Sequence, residues 1–389
     1  MRTRLMLLAA LVTLGACSKE KDIEPPSELV DIKTTLDVRR AWSASVGGQK
    51  EVMRLGLGVA AVGERVYAAS HDGDVVAIDL ASGRTAWRAR TKAPLAGGAG
   101  AGASLVVVGS NDGDVIALDA ESGAERWRVR VGGEVLSAPA VAETAVIVRT
   151  VDGRVRSLAL ADGKELWMNE QAVPRLSLRG TAAPVVAGDM AICGFDNGKV
   201  VAFSISSGDV QWETAVAPAR GRTELERLND IDATVRVDGD DVFVVGFQGR
   251  AARLSLESGQ LWWSREMSSY RGLAIDGENA YVSTADGEVV ALARRTGVEL
   301  WRQSALKRRG LSAPGAAGGA VAVADFEGYV HWLDAATGEL RARSSAGGRV
   351  SNAPAAAGDT LIFIDDGGRI SAFRNPAAPA AAEATSSGG

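Results

Sequence analysis

The stretch NDGDVIALDAESGAERW occupies residues 111–127. Close copies stand forty residues to either side, HDGDVVAIDLASGRTAW at 71–87 and VDGRVRSLALADGKELW at 151–167. A phrase repeated at such a period constrains a chain strongly, because each copy is one supersecondary unit that cannot bury its faces alone. With the turn glycine as marker, the phrase recurs at Gly73, Gly113, Gly153, Gly198, Gly249, Gly287, Gly328 and Gly368. Fourteen residues after the first six stand Trp87, Trp127, Trp167, Trp212, Trp263 and Trp301; at the seventh the place holds Ala342.

Each copy has the same local physics. The Asp-Gly or Asn-Gly pair suits a two-residue hairpin turn with positive φ. The run Val115-Ile116-Ala117-Leu118 reads as a strand, and Asp119 to Gly123 as a second turn, followed by the tryptophan strand. Upstream, Ser137 to Val141 and Ala145 to Val148 supply two more strands. Four antiparallel strands in about forty residues, repeated eight times, describe a blade of a β-propeller. The fold class is therefore all-β, an eight-bladed propeller over residues 37–374. The 46 glycines of this 389-residue chain fit many tight turns between short strands.

Closure is legible as well. The eighth repeat has its third strand, Gly368 to Phe373, but no fourth. Near the N-terminus Val38 to Ser43 carries Trp42 with no repeat before it. The N-terminal strand is expected to complete the last blade and close the ring, leaving no long open edge. The tryptophans are expected to wedge between neighbouring blades. Asp79 and Asp119 are expected to fix turns rather than to act as catalytic carboxylates.

The period is interrupted twice. From tryptophan to next turn glycine is 26 residues for Trp87→Gly113 and for Trp127→Gly153, 24 for Trp263→Gly287 and 27 for Trp301→Gly328. It is 31 for Trp167→Gly198 and 37 for Trp212→Gly249. Both insertions join the outer strand of one blade to the inner strand of the next, so they emerge as neighbours on one face. Long loops on a regular scaffold are often functional. Leu176 and Leu178 alternate, and beside them Arg179 offers a planar fork for a carboxylate. Asp230 and Asp232 share a face of the second loop if it is extended. Leucines ringed by charge suit a protein-binding patch. An internal lock, Arg179 with Asp230 or Asp232, is the other reading, and both can hold.

The ends differ from the middle. Residues 1–16 read as a signal peptide: Arg2 and Arg4, then an apolar run from Leu5 to Leu14 too short to cross a bilayer, then small residues. Cys17 just after them resembles the bacterial lipobox cysteine, which implies acylation there and an anchored N-terminus over 17–36. Ser18 stands where an aspartate would resemble an inner-membrane address, so an outer-membrane location is expected. Residues 375–389, NPAAPAAAEATSSGG, carry too few large apolar groups to fold and read as a disordered tail.

Little points to catalysis. Cys193 lies in the apolar run Met190-Ala191-Ile192-Cys193-Gly194 and reads as a core residue. His71 and His331 are the only histidines and form no zinc pattern. Gly56-Leu57-Gly58 is too short for a nucleotide loop. Lys307-Arg308-Arg309 reads as a solvated loop or a contact for acidic lipid or a partner. The net charge of −5 gives nucleic acid no support. No catalytic, metal-binding or cofactor-binding residue is expected, and no enzyme.

The pattern A-[LIF]-D-x-x-[ST]-G-x-x-x-W resembles the repeat of the pyrroloquinoline-quinone propeller superfamily over about residues 38–374. With the lipobox, the closing strand and the segments PRLSLRG (174–180), ELERLNDIDAT (224–234) and EGYVHWLDAATGEL (327–340), the chain resembles the BamB family, lipoprotein subunits of the β-barrel assembly machinery. That resemblance implies a non-enzymatic scaffold, lipid-anchored through Cys17 to the outer membrane, with its propeller in the periplasm. It implies docking onto a POTRA domain of BamA through Leu176, Leu178, Arg179, Asp230 and Asp232, contacts with other subunits of the machinery, and help to unfolded outer-membrane proteins. The rival reading is a quinone-dependent dehydrogenase or a ligand-sensing propeller.

Overall fold

The computed structural model describes residues 24–47, 56–174, 181–217, 231 and 233–375. These residues form eight four-stranded antiparallel sheets. The first blade comprises Ala60–Val62, Arg65–Ala69, Asp74–Asp79 and Thr85–Arg90, from the innermost strand outward. Six more blades follow over residues 100–130, 140–170, 185–215, 236–266, 273–303 and 315–345. The eighth contains Ala355–Ala357, Thr360–Ile364 and Arg369–Arg374, and its outer strand is Arg39–Ser45. Inner strands of successive blades touch all the way round, so the sheets form a closed ring. The ring and its closing strand are those expected from the sequence.

Burial explains the strand patterns. The two middle strands of each blade are covered on both faces by neighbouring blades, so Val75–Ile78 and Val106–Val108 are fully buried apolar runs without alternation. Outer strands alternate, because one face packs and the other meets water. The cores lie between blades: one cluster joins Tyr67, Val75 and Trp87 of the first to Val106, Ile116 and Leu118 of the second.

Each outer tryptophan ties its blade to the next. Seven indole N–H groups donate to a backbone carbonyl of the following blade at 2.7–3.0 Å, from Trp42 to Leu80 through Trp301 to Ala335. The ring lies against a turn glycine of that blade: a Cβ on Gly123 would sit 2.6 Å from Trp87. The seventh blade lacks such a tryptophan for a topological reason. The eighth blade takes its outer strand from the N-terminus, so no turn glycine follows its third strand. There the Ala/Trp cross-strand pair is reversed: Ala77 faces Trp87 in the first blade, whereas Trp332 faces Ala342 in the seventh. Trp332 is fully buried against Phe373 of the eighth blade, with ring centroids 6.1 Å apart.

Two local expectations are refined. The Asp-Gly turns are four-residue connections closed by bonds such as Gly73 N–H to Ser70 O at 3.0 Å. The glycine there is left-handed (φ 92° at Gly73) while the aspartate is not, so these are not two-residue hairpins needing two positive φ values. Asn375, expected at the start of a free tail, is buried, and its Nδ2 donates to the carbonyls of Ala317 and Gly318 at 3.1 and 3.0 Å. Asp79 and Asp119 do fix turns, each accepting from the backbone N–H and hydroxyl of the serine three residues on.

Candidate functional site

Successive strands of a meander turn at alternate ends, so the interblade connections and the Asp-Gly-type turns share one face of the disc. Bonds such as Thr91 N–H to Gly73 O and Gln171 N–H to Gly153 O hold them side by side. The two insertions of the sequence leave this face from the third and fourth blades, between strands Glu165–Glu170 and Val185–Ala187 and between Val210–Ala215 and Arg236–Asp238. They are adjacent in the ring.

Leu176, Leu178, Arg179, Asp230 and Asp232, with Cys17, lie outside the described residues. Their footings are described. Thr181 and Ala182 are buried where the first connection returns to its blade. Ala183 N–H donates to Thr234 Oγ1 at 3.4 Å, joining the ends of the two connections. Ile231 is fully buried among Ile192, Val200 and Val235, and its N–H donates to Phe195 O at 3.3 Å. Its methyl lies so close to Gly194 that a Cβ there would be only 2.5 Å away. The second insertion is thus pinned by one apolar side chain inside the pair of aspartates.

Below the first insertion, Arg149 of the third blade donates through Nη2 to Asp196 of the fourth at 2.5 Å, with both side chains buried. The guanidinium stacks on Phe195, 4.7 Å from the ring centroid. Sequence reasoning passed over this pair. A signal existed, since Arg149 stands where the other repeats place Ala69, Gly109, Gly194, Val245, Ser283, Ala324 and Ile364. Burying a charge pair is costly unless both charges are well coordinated, so it fixes the relative placement of the two blades more than it stabilises them.

A third insertion was also passed over. Trp42→Gly73 spans 31 residues, as long as Trp167→Gly198, and the connection leaves from the eighth blade. A count that starts at Trp87 misses it. Residues 48–55 of that connection lie outside the described ones.

The N-terminal segment reaches the same face. Leu36 and Val38 pack on the core between the seventh and eighth blades. Thr35 N–H donates to Arg341 O at 2.9 Å, Arg343 to Val30 O at 3.0 Å, and Ser27 N–H to Lys307 O at 3.0 Å. Glu24 pairs with Arg308. Residues 24–38, expected within or beside a tether, therefore lie against the disc. The run Lys307-Arg308-Arg309 holds their first four residues.

Chemistry of an enzyme is not evident in the remaining candidates. Cys193 is fully buried, and burial pushes its thiol up to about 12, so the thiolate is strongly disfavoured. No group of His, Cys, Asp and Glu able to hold a metal occurs among the described residues. His71 and His331 sit in different blades.

A family model described as outer membrane protein assembly factor BamB matches residues 34–94, 71–303 and 285–376. The chain belongs to the BamB family. It is 46% identical to the outer membrane protein assembly factor BamB of Pseudomonas aeruginosa over 372 residues, covering 95% of this chain and 97% of that one. With the BamB of Kangiella koreensis the identity is 38% over 381 residues, covering 98% of each. Among solved structures, BamB from Moraxella catarrhalis superposes with a TM-score of 0.79 at 28% identity, over 87% of this chain and 99% of that one. A quinohemoprotein alcohol dehydrogenase from Comamonas testosteroni shares the fold, with a TM-score of 0.67 at 13% identity, over 88% of this chain and 77% of that one. At that identity the likeness concerns the propeller alone.

Proposed function

We propose that this BamB-family chain is a non-enzymatic scaffold in outer-membrane protein assembly, with the connection face of the disc as its working face. Residues 1–16 are removed and Cys17 is acylated, which holds the propeller in the periplasm at the outer membrane. Acyl chains contribute about 0.8 kcal/mol per buried methylene, so several chains anchor firmly. Leu176, Leu178 and Arg179 dock on a POTRA domain of BamA, with Asp230 and Asp232 completing the patch. The disc then helps the machinery fold and insert outer-membrane proteins.

The single observation that carries this reading is the pair of insertions, adjacent in the ring on one face, in a chain 46% identical to a named assembly factor. A second feature bears on how clients are met. Every outer strand has a register shift beside its tryptophan or Ala342, as between Ala77/Ile78 and between Ala117/Leu118. Bulges break the regular row of edge N–H and C=O groups, so a client strand has little length on which to pair with a blade edge. This favours orientation of the partner over capture of client strands.

Site-specific photo-crosslinking in cells tests the reading. A crosslinking amino acid at position 176 or 178 is expected to trap BamA, and one at position 262, on the bulged outer rim, is not. Equal trapping from both positions, or none from 176 and 178, contradicts the assignment of the face.

A further inference from the structure

Beginning one connection on from the second insertion, the connection face carries a pocket of about 310 Å3 whose walls come from five parts of the chain. Tyr270 and Arg271 belong to the connection after the fifth blade, Arg308 to that after the sixth, Arg349 and Ser351 to that after the seventh. Phe326 lies in a turn of the seventh blade, and Pro26 in the N-terminal segment. Three guanidinium groups and two aromatic rings thus converge on one cavity, in a chain whose net charge is −5. The lining is more polar than apolar, which suits a charged ligand group.

The arginines are held differently. Arg271 is fixed: Nη1 donates to Ser351 O at 2.9 Å, and its guanidinium lies 4.9 Å from the Tyr270 ring centroid. Ser351 is itself held by Asp366, which accepts from its N–H at 3.1 Å and its hydroxyl at 2.8 Å. Arg308 reaches Glu24. Half-buried Arg349 makes no side-chain hydrogen bond or ion pair among the described residues; only its carbonyl is engaged, by Asp366 N–H at 2.7 Å. A planar donor fork beside a second, pre-oriented one, flanked by aromatic faces, is built for a carboxylate on a chain with apolar neighbours.

The pocket's own wall indicates the carrier. Residues 24–31, EPPSELVD, are described without helix or strand and carry Glu24, Glu28 and Asp31. Arginines hold this segment at three points, Arg308 at Glu24, Arg309 at Ser27 O and Arg343 at Val30 O. An acidic peptide is therefore what this rim already accepts in cis.

We propose that the pocket between Arg271, Arg308, Arg349, Tyr270 and Phe326 binds an acidic side chain of an extended polypeptide segment supplied by another protein, laid beside residues 24–27. This site is separate from the insertion loops and does not rest on the docking reading. It would give the connection face a second contact, further round the ring from the two insertions.

The test uses the mature full-length chain, isotope-labelled, with a blocked five-residue peptide bearing two glutamates, the same peptide with glutamines, inorganic phosphate, and vesicles of phosphatidylglycerol. The glutamate peptide is expected to shift resonances of Gly310, Phe326 and Ser351 in a saturable way, and the glutamine peptide to bind at least tenfold more weakly. Arg349→Gln is expected to weaken the glutamate peptide about tenfold, and Arg349→Lys by clearly less; thermal melts show that both variants are folded, since the Arg349 charge also acts on the Asp366 carboxylate. Equal binding of the two peptides, or parental affinity in R349Q, overturns the proposal. So does a response of the pocket to phosphate or vesicles but not to the glutamate peptide, which would make the ligand a phosphate group.

Discussion

His331 shows how a titratable group can be structural in this ring. It is fully buried, its Nε2–H donates to Asp325 Oδ2 at 3.0 Å, and Arg343 Nε donates to its Nδ1 at 3.4 Å. Asp325 also accepts from Arg309 at 2.8 Å, and Arg309 holds the carbonyl of Ser27. The network therefore fastens the N-terminal segment to the seventh blade. Burial lowers the imidazole below its usual 6.5; the bond and charge of Asp325 oppose this, and the charges of Arg343 and Arg309 add to it. Below pH 6.5 the unfolded chain then binds a proton that the folded chain refuses. Stability is thus complete above 6.5 and falls as pH drops below it, by at most about 1.4 kcal/mol per pH unit from this group. Thermal melts at pH 7.5 and 5.5 should show a larger loss in the parent than in His331→Gln. An equal loss would remove His331 as the cause. The histidine was visible in the sequence, but its partners were not: Asp325 lies six residues away, whereas Arg309 and Arg343 belong to the connection before the blade and to its outer strand.

At the scale of the element, the tryptophan strand and the turn glycine of the next blade act as one joint. Gly123 has φ +74° and the Trp87 ring beneath it, whereas Gly188 has φ +60° and open space around its missing Cβ. Both alanine variants incur the left-handed backbone penalty, about 1–2 kcal/mol. Gly123→Ala must also displace an indole that packs and donates a hydrogen bond, adding about 1–3 kcal/mol. Urea unfolding should rank Gly123→Ala clearly below Gly188→Ala; equal midpoints would show that the wedge carries little of the interblade energy. The joint was legible from spacing alone, because a fixed 14-residue offset can only be the same strand in each blade. Its exception was visible but not interpretable. Ala342 makes sense once the eighth blade is seen to borrow Arg39–Ser45, which removes the turn a tryptophan would lie against.

At the scale of the whole molecule, the sequence announced the ring, its closure and the two neighbouring insertions, because all three are deviations from or adherence to a period. What remained hidden is what the ring brings together from far apart. The Arg149–Asp196 pair bridges 47 positions, and the pocket joins Pro26 to Tyr270, Phe326 and Arg349. The central claim is that a flat disc works through the face on which its period is broken. Its most direct test is the affinity of the purified mature chain for the periplasmic region of its cognate BamA, measured by calorimetry beside a Leu176→Ala, Leu178→Ala, Arg179→Ala variant of equal thermal stability. Alanine at a hydrophobic and arginine anchor set typically costs at least 2 kcal/mol, so the variant is expected to bind at least about thirtyfold more weakly. Parental affinity in the folded variant, or no binding by the parent, would contradict the account.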